Sequence, residues 1–260
     1  LCELPPNGQG FAALQMVNIL KNVDLRQWSR NHPKVWHYLT EAKRLAFEDL
    51  ARYYGDPDFS DVPTEKLLSD AYGKQRFSLI DPESVLRDPA PGSFQFESEG
   101  DTTFLTVADR DGMMVSLIQS NYRGMGSGLV PDGLGFMLQD RGELFSLDPN
   151  HPNAYQPGKR PFHTIIPAFI LQDNRPLVSF GLMGGSMQPQ GHVQILINLI
   201  DYGMNLQEAG DAARMKHSGG RQPTGDGDED LLGVLHLEPG VSDITVKALR
   251  EMGHQVKIVD

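Results

Sequence analysis

The sequence predicts an α+β fold in which helices flank packed antiparallel sheets. Three observations support this prediction. Apolar residues recur at helical spacing over the first hundred residues, the period changes to two at Thr102, and two strand pairs with short turns follow. Helices first and strand pairs afterwards are typical of this layered class.

Three helices are predicted in the first hundred residues. The first follows a turn at residues 5–8 and carries an apolar stripe over residues 11–20. The second runs from about His32 to Tyr54 and ends at Gly55-Asp56-Pro57. The third begins at Thr64, whose hydroxyl is predicted to cap it.

The rest of the chain is predicted to be richer in strands. Two hairpins follow from the alternating pattern and its turn residues, with strands at residues 102–109 and 113–120 and then at 165–171 and 177–182. Loops are predicted at residues 80–101 and 121–160. Helices at about 190–202, after Asn205 and at 242–252, with strands at 232–237 and 256–259, complete the pattern.

Charge and composition exclude several classes of function. The chain has 23 Lys plus Arg against 34 Asp plus Glu, and this net charge of −11 argues against a nucleic-acid surface. The single cysteine, Cys2, allows no internal disulfide and no thiolate zinc site. The histidines form no metal-binding motif, so we expect no metal. We expect no organic cofactor either.

The sequence contains no apolar run of about 20 residues, so we predict no membrane span. It begins at Leu1 and its last predicted element is a strand. We therefore expect a fragment that lacks the amino-terminal part and the last strands of its fold. The sequence leaves the compartment open between cytoplasmic and periplasmic or secreted locations.

Two features have both a structural and a chemical interpretation. Thr102 opens a strand, where threonine is favoured, but it becomes a nucleophile with its own amine as base if the preceding bond is cut. Gly184-Gly185 lies between a strand and a helix and serves either as a tight turn or as a pair of amides that bind an oxyanion.

Six short motifs are spread over essentially the whole chain: Leu4-Pro5-Pro6-Asn7-Gly8, Gly55-Asp56-Pro57-Asp58-Phe59, Asp101-Thr102-Thr103, Gly158-Lys159-Arg160-Pro161, Gly184-Gly185 and Asp201-Tyr202-Gly203-Met204-Asn205. In sequence and in order they resemble the γ-glutamyltranspeptidase family of N-terminal-nucleophile hydrolases. Two further stretches, Gln119-Ser120-Asn121-Tyr122 and Met187-Gln188-Pro189-Gln190-Gly191, are most similar to the branch of this family related to cephalosporin acylases.

The resemblance implies a four-layered αββα sandwich and a precursor that cleaves itself between Asp101 and Thr102. Residues 1–101 then belong to a large subunit and residues 102–260 to a small one, and together they form one domain. A dimer of such heterodimers is one open arrangement. The resemblance also makes Thr102 the nucleophile, Gly184 and Gly185 the oxyanion donors, and Ser120 the match of a family threonine that hydrogen-bonds the nucleophile.

The donor pocket departs from the family pattern. The family holds the glutamyl α-amine with an asparagine, a glutamine and an aspartate, and the matching positions are Tyr122, Arg141 and Leu144. The family's carboxylate-binding serine pair becomes His163-Thr164. Because leucine accepts no hydrogen bond and arginine repels an ammonium, we expect a donor that ends in a carboxylate without an α-amine, such as a glutaryl group.

Two functional hypotheses remain at this stage. The first is a self-processing hydrolase or acyltransferase that cleaves γ-glutamyl (glutathione-type) or glutaryl-type amides of small molecules or peptides through an acyl-threonine intermediate. The second is an inactive or uncleaved homologue that acts as a structural or binding module, since Thr102 has no free amine while its bond to Asp101 is intact.

Overall fold

The computed structural model describes residues 1–89, 101–220, 223 and 231–259. Its helices are α1 (Gly10–Leu20), α2 (Pro33–Tyr53), α3 (Thr64–Leu67), α4 (Asp70–Phe77), α5 (Met187–Ile200), α6 (Leu206–Asp211) and α7 (Asp243–Glu251). Its strands are β1 (Asp101–Ala108), β2 (Met114–Tyr122), β3 (Ala168–Gln172), β4 (Arg175–Phe180), β5 (Met215–Ser218), β6 (Val234–Leu237) and β7 (Val256–Ile258). This mixture confirms the predicted α+β class.

Helix α2 runs through the centre of the helical region. It begins at Pro33, whose missing N–H costs nothing in the first turn, and it ends before Gly55 as predicted. It packs against α1 and α7, and its apolar side chains belong to the main hydrophobic core together with residues of α5 and the β5–β6–β7 sheet. A second, smaller apolar cluster lies where α1 and α2 approach the end of β2.

The first strand pair is the predicted hairpin. Strands β1 and β2 are antiparallel, and their turn is closed by the Asp109 carboxylate, which accepts the N–H groups of Asp111 and Met113 at 2.9 Å each. Gly112 has a φ of 88°, which only glycine adopts without strain. The register shifts between Asp101 and Thr102, which pair with Tyr122 and Ser120, so Asn121 is an extra residue of β2 and forms a β-bulge opposite the start of β1.

The other two sheets have two and three strands. Strands β3 and β4 form the second predicted hairpin, with Asp173 and Asn174 both at positive φ as two-residue hairpin turns require. In the third sheet β6 pairs antiparallel with β5 and parallel with β7, and α7 connects the two parallel strands.

The structure corrects three details. Pro63 and not Thr64 is the N-cap of α3, which breaks after one turn because the Ser69 hydroxyl caps α4 instead. The strand predicted from residue 165 begins at Ala168, since Pro167 offers no N–H to a ladder. Strand β5 is a further element that the alternation did not reveal. The part of the predicted 80–101 loop that covers residues 90–100 lies outside the described residues.

Within the described ranges, no helix combines the length and the apolar character needed to cross a bilayer. The same residues contain no group of three or more metal-ligating side chains.

Candidate active site

Thr102 lies at the start of β1, directly opposite Ser120 of β2 and beside the bulge of that strand. Its side chain is largely buried, with 7% of the residue exposed, whereas the neighbouring Thr103 is exposed. Both strands contribute to a cavity of about 300 Å³ that is lined by Thr102, Thr103, Gln119, Ser120, Asn121 and Gly124. The predicted nucleophile therefore lines a space large enough for a small substrate.

Ser120 also shapes the backbone beyond it. Its Oγ accepts the N–H of Tyr122 at 2.9 Å, and Tyr122 has a φ of 82°, which is rare for an aromatic residue. Strain of this kind persists only where surrounding contacts impose it, and it is enriched at functional sites. The turn places the Tyr122 ring in the smaller apolar cluster, where it is 3% exposed.

The glycine pair forms the turn into α5. Gly184 and Gly185 have φ values of 102° and 56°, and their carbonyls accept the N–H groups of Met187 and Gln188 at 2.9 and 3.1 Å. Among the described residues, neither glycine N–H donates a backbone hydrogen bond. The chain leading to the pair passes β1, because a Cβ on Gly181 would lie 2.5 Å from the Phe104 ring. Phe104 shares a face of β1 with Thr102.

Arg141 begins a 3-10 turn, Arg141–Leu144, within the long loop, and the first and last residues of this turn are buried. Its Nη1 donates to the Thr164 hydroxyl at 3.1 Å, and its guanidinium lies over the Tyr122 ring with 5.3 Å between Cζ and the centroid. Nη2 is buried and has no hydrogen-bond partner in the described part of the chain. Burial lowers the pKa of Arg141, which records the cost of keeping this charge away from water.

His163 and Leu144 complete the group of predicted donor residues. Burial, followed by the nearby Arg141 charge, lowers the pKa of His163 to about 4, so the imidazole is neutral at neutral pH. Leu144 is 5% exposed and belongs to the same apolar cluster as Tyr122. Of the three positions predicted to match the family's amine-binding residues, Tyr122 and Leu144 thus belong to an apolar cluster and Arg141 is a cation.

Two buried amides that the sequence did not single out hold this region together. Asn153 donates to the Leu144 carbonyl at 2.6 Å and accepts from the Phe162 N–H at 2.9 Å. Gln9 donates to the carbonyls of Thr164 at 2.6 Å and Gly185 at 2.8 Å. The only sequence signal for Gln9 is its place directly after the Leu4–Gly8 motif.

Two of the motifs meet away from the cavity. The Asp56 carboxylate accepts the backbone N–H of Arg160 at 2.8 Å, its Nε at 3.0 Å and its Nη2 at 2.5 Å. These bonds hold the pKa of Asp56 down at about 2. The motif at residues 158–161 is thereby anchored to the end of α2 just before the chain enters the site.

Comparison with known proteins identifies relatives of the whole chain. The family model for gamma-glutamyltranspeptidase matches residues 1–260. A Bacillus subtilis glutathione hydrolase-like YwrD proenzyme is 36% identical over 99% of this chain and 46% of that protein. An oxamate amidohydrolase proenzyme from Klebsiella pneumoniae is 34% identical over 100% of this chain and 46% of that protein.

The solved structure of a cephalosporin acylase from Bacillus halodurans superposes with a TM-score of 0.83 at 41% identity, over 99% of this chain and 44% of that one. The chain thus spans about half the length of the relatives it matches. The likeness confirms the predicted N-terminal-nucleophile hydrolase fold class. Because the family model covers every residue, the chain belongs to the γ-glutamyltranspeptidase family.

Proposed function

We propose that this chain forms the catalytic part of a self-processing amide hydrolase or acyltransferase with Thr102 as its nucleophile. The observation that carries the proposal is the placement of Thr102 opposite Ser120 at a β-bulge beside a 300 Å³ cavity. The relatives described above are named as proenzymes and as hydrolases or acylases, which favours an enzyme over an inactive binding module.

The first step of the proposed mechanism is hydrolysis of the peptide bond between Asp101 and Thr102, in which one water molecule is consumed and Asp101 is left with a terminal carboxylate. While that bond is intact the Thr102 nitrogen is an amide and cannot act as a base. Cleavage frees an α-amine beside the hydroxyl of the same residue. The amine then takes the hydroxyl proton as Oγ attacks the carbonyl carbon of the donor amide.

The attack forms a tetrahedral oxyanion, which the N–H groups of Gly184 and Gly185 stabilise. Collapse of this intermediate breaks the C–N bond, and the α-ammonium returns its proton to the departing amine. The resulting acyl-Thr102 ester is attacked by water in hydrolysis or by an amine in transfer, and Thr102 is regenerated. No metal or organic cofactor enters these steps.

Cleavage would divide the chain into residues 1–101 and 102–260, and contacts across that boundary would keep the halves together. Asp56 pairs with Arg160, and Arg30 Nε donates to the Asn198 side chain at 2.5 Å. The buried carboxylate of Glu3 also lies 2.7 Å from His192 Nδ1. We therefore propose that the large-subunit and small-subunit parts stay together as one folded unit.

The donor is proposed to end in a carboxylate without an α-amine, as in a glutaryl amide. The unpartnered Nη2 of Arg141 supplies a buried cation that lacks an anion, and the Thr164 hydroxyl adds a second donor. An α-ammonium would meet the same cation, next to Tyr122 and Leu144, and would find no carboxylate acceptor from these residues. A γ-glutamyl donor is thus expected to be the poorer substrate.

The test uses the full-length protein with matched variants. We expect two bands, the smaller beginning at Thr102, and faster hydrolysis of glutaryl p-nitroanilide than of γ-glutamyl p-nitroanilide. Thr102→Ala should abolish cleavage and hydrolysis, whereas Thr106→Ala, at an exposed position of the same strand that does not line the cavity, should retain both. A fully cleaved sample that turns over neither anilide would favour the binding module, and an uncut protein with full activity would refute the mechanism.

A further inference from the structure

The side chain of Gln9 connects two separate segments of the candidate site. It is 1% exposed at the N-cap of α1, and its Nε2 donates one hydrogen to the Thr164 carbonyl at 2.6 Å and the other to the Gly185 carbonyl at 2.8 Å. A primary amide nitrogen has two hydrogens and can make both bonds at once.

The residues before Gln9 hold the same segment. The Asn7 carbonyl accepts the N–H of His163 at 3.2 Å, and the Asn7 side chain donates to the Pro161 carbonyl at 2.5 Å. Between them Gly8 lies against the His163 ring so closely that a Cβ would be 2.6 Å from Cε1. Residues 7–9 therefore form a clip, which we define as Asn7, Gly8 and Gln9, along residues 161–164.

The Gln9 end of the clip fixes the Gly184-Gly185 turn, which glycine alone would leave flexible. Two consecutive glycines at positive φ have no Cβ atoms to restrict them. The Gly185 carbonyl accepts from Gln9 Nε2 and from the Gln188 N–H, and the Gly184 carbonyl accepts from the Met187 N–H. Since a planar peptide points its N–H opposite its C=O, the Met187 bond to the Gly184 carbonyl orients the Gly185 N–H, and the Gln9 bond to the Gly185 carbonyl fixes the position of the following peptide.

We propose that Gln9 is a positioning residue that sets the distance between the donor-carboxylate anchor, Arg141 with Thr164, and the oxyanion donors, Gly184 and Gly185. This inference rests on the proposed function. It adds that Gln9 aligns both ends of a bound donor, its carboxylate and its reacting carbonyl, without contacting either of them. In the cleaved protein Gln9 would belong to the first half and both of its acceptors to the second.

The side chain at position 9 has no simple substitute. Glutamate has the same shape but, when ionised, no hydrogen to donate, and its charge would face two carbonyl oxygens. Leucine fills a similar volume and leaves both carbonyls without this donor. Gln15 provides a matched control, because it is 2% exposed on the same helix and bonds Asp49 and Tyr54, which are not among the residues of the site.

The experiment compares Gln9→Leu, Gln9→Glu and Gln15→Leu in the full-length protein. For Gln9→Leu we expect kcat on glutaryl p-nitroanilide to fall about 10- to 100-fold, with a smaller change in KM, because misplacement of about 1 Å has effects of this size. Gln15→Leu should retain the kcat of its folded fraction. Gln9→Glu should lose activity as pH rises and its carboxyl ionises, with no matching inflection in Gln9→Leu.

Hydrogen–deuterium exchange supplies a readout that does not require turnover. Amides of residues 184–188 should exchange faster in Gln9→Leu than in wild type or Gln15→Leu. Unchanged exchange, or faster exchange with unchanged kcat, would overturn the inference. If wild type hydrolyses no donor, the proposed function fails on its own, and the catalytic part of the inference fails with it, whatever the exchange shows about the clip.

Discussion

The guanidinium of Arg141 lies over the ring of Tyr122, with 5.3 Å between Cζ and the ring centroid. Tyr122 follows Ser120, the residue that faces Thr102, by two positions. A cation over an aromatic face is attracted to it, and burial of both partners strengthens that attraction. The stacking leaves Nη2 without a hydrogen-bond partner in the described residues. The pair thus joins the end of β2, the strand that pairs with the nucleophile's strand, to an unsatisfied positive charge.

We expect Arg141→Met to lower kcat/KM for glutaryl p-nitroanilide about 10- to 100-fold, since a hydrogen bond to a charged group contributes roughly 1.5–3 kcal/mol. The γ-glutamyl donor should lose less, because its ammonium no longer meets a cation. Arg123→Met is the matched control: Arg123 also lies near the Tyr122 ring, at 5.9 Å, but it is half-exposed and pairs with Asp140 and Glu143. Equal losses for both donors would contradict the assigned role of Arg141.

Ser120→Ala should lower kcat about 3- to 10-fold, the effect of one neutral hydrogen bond of about 0.5–1.5 kcal/mol. The change removes the hydroxyl opposite Thr102 and the acceptor of the Tyr122 N–H. Ser120→Thr keeps a hydroxyl and should retain most of the activity. Steady-state kinetics on the cleaved proteins measure kcat. A fully active Ser120→Ala variant would show that Ser120 has no role in the reaction.

Asp56→Asn should lower the free energy of unfolding by about 1–2 kcal/mol at neutral pH, because the buried carboxylate loses charged bonds to a half-exposed arginine. The folded-state pKa of Asp56, about 2, is below its ordinary value of 3.8. The stabilisation is therefore complete above about pH 4 and is lost as pH falls towards 2.

Urea unfolding of wild type and Asp56→Asn across that window measures the difference. Asp58→Asn is the control, since exposed Asp58 also pairs with Arg160 but stays in solvent. A difference between wild type and Asp56→Asn that does not shrink on acidification would contradict the assigned pKa.

Lys43 predicts a different pH dependence. It is fully buried on α2, with Nζ 2.7 Å from the Gly219 carbonyl and 3.2 Å from His217 Nδ1, and burial lowers its pKa to about 7. Because the unfolded chain keeps the proton up to about pH 10.5, the wild type gains stability relative to Lys43→Met as pH rises from about 7 to 10.5. Lys43→Arg, which stays charged, should show no such gain. Chemical unfolding at pH 6.5, 8 and 9.5 measures the difference in the free energy of unfolding between wild type and Lys43→Met. A difference that does not change with pH would refute the prediction.

The parts of the fold that the sequence predicts well are those with strong local patterns. The apolar stripe of α1, the long period of α2 and the Arg110–Gly112 and Asp173–Asn174 turns all specify structure within a few residues. Helix α3 was harder, because Thr64 and Ser69 both have side chains able to cap and only Ser69 does so.

The residues of the candidate site likewise include some that the sequence predicts and some that it does not. Thr102, Ser120 and the glycine pair could be predicted because they occur in short motifs and in a hairpin register that places 102 opposite 120. Gln9 and Asn153 could not, since their partners lie 155 and 9 residues away and are backbone carbonyls, which leave no trace in side-chain patterns. Burial of Tyr122 and Leu144 in one cluster likewise depends on tertiary packing.

The most direct test of the central claim is intact mass spectrometry of the full-length protein, mixed with glutaryl p-nitroanilide and quenched in acid during turnover. We predict a smaller subunit whose first residue is Thr102 and which gains one glutaryl group, located on Thr102 by fragmentation. The Thr102→Ala protein should remain one uncut, unmodified chain. Hydrolysis by an uncut chain, or a glutaryl group on any residue other than Thr102, would contradict the account.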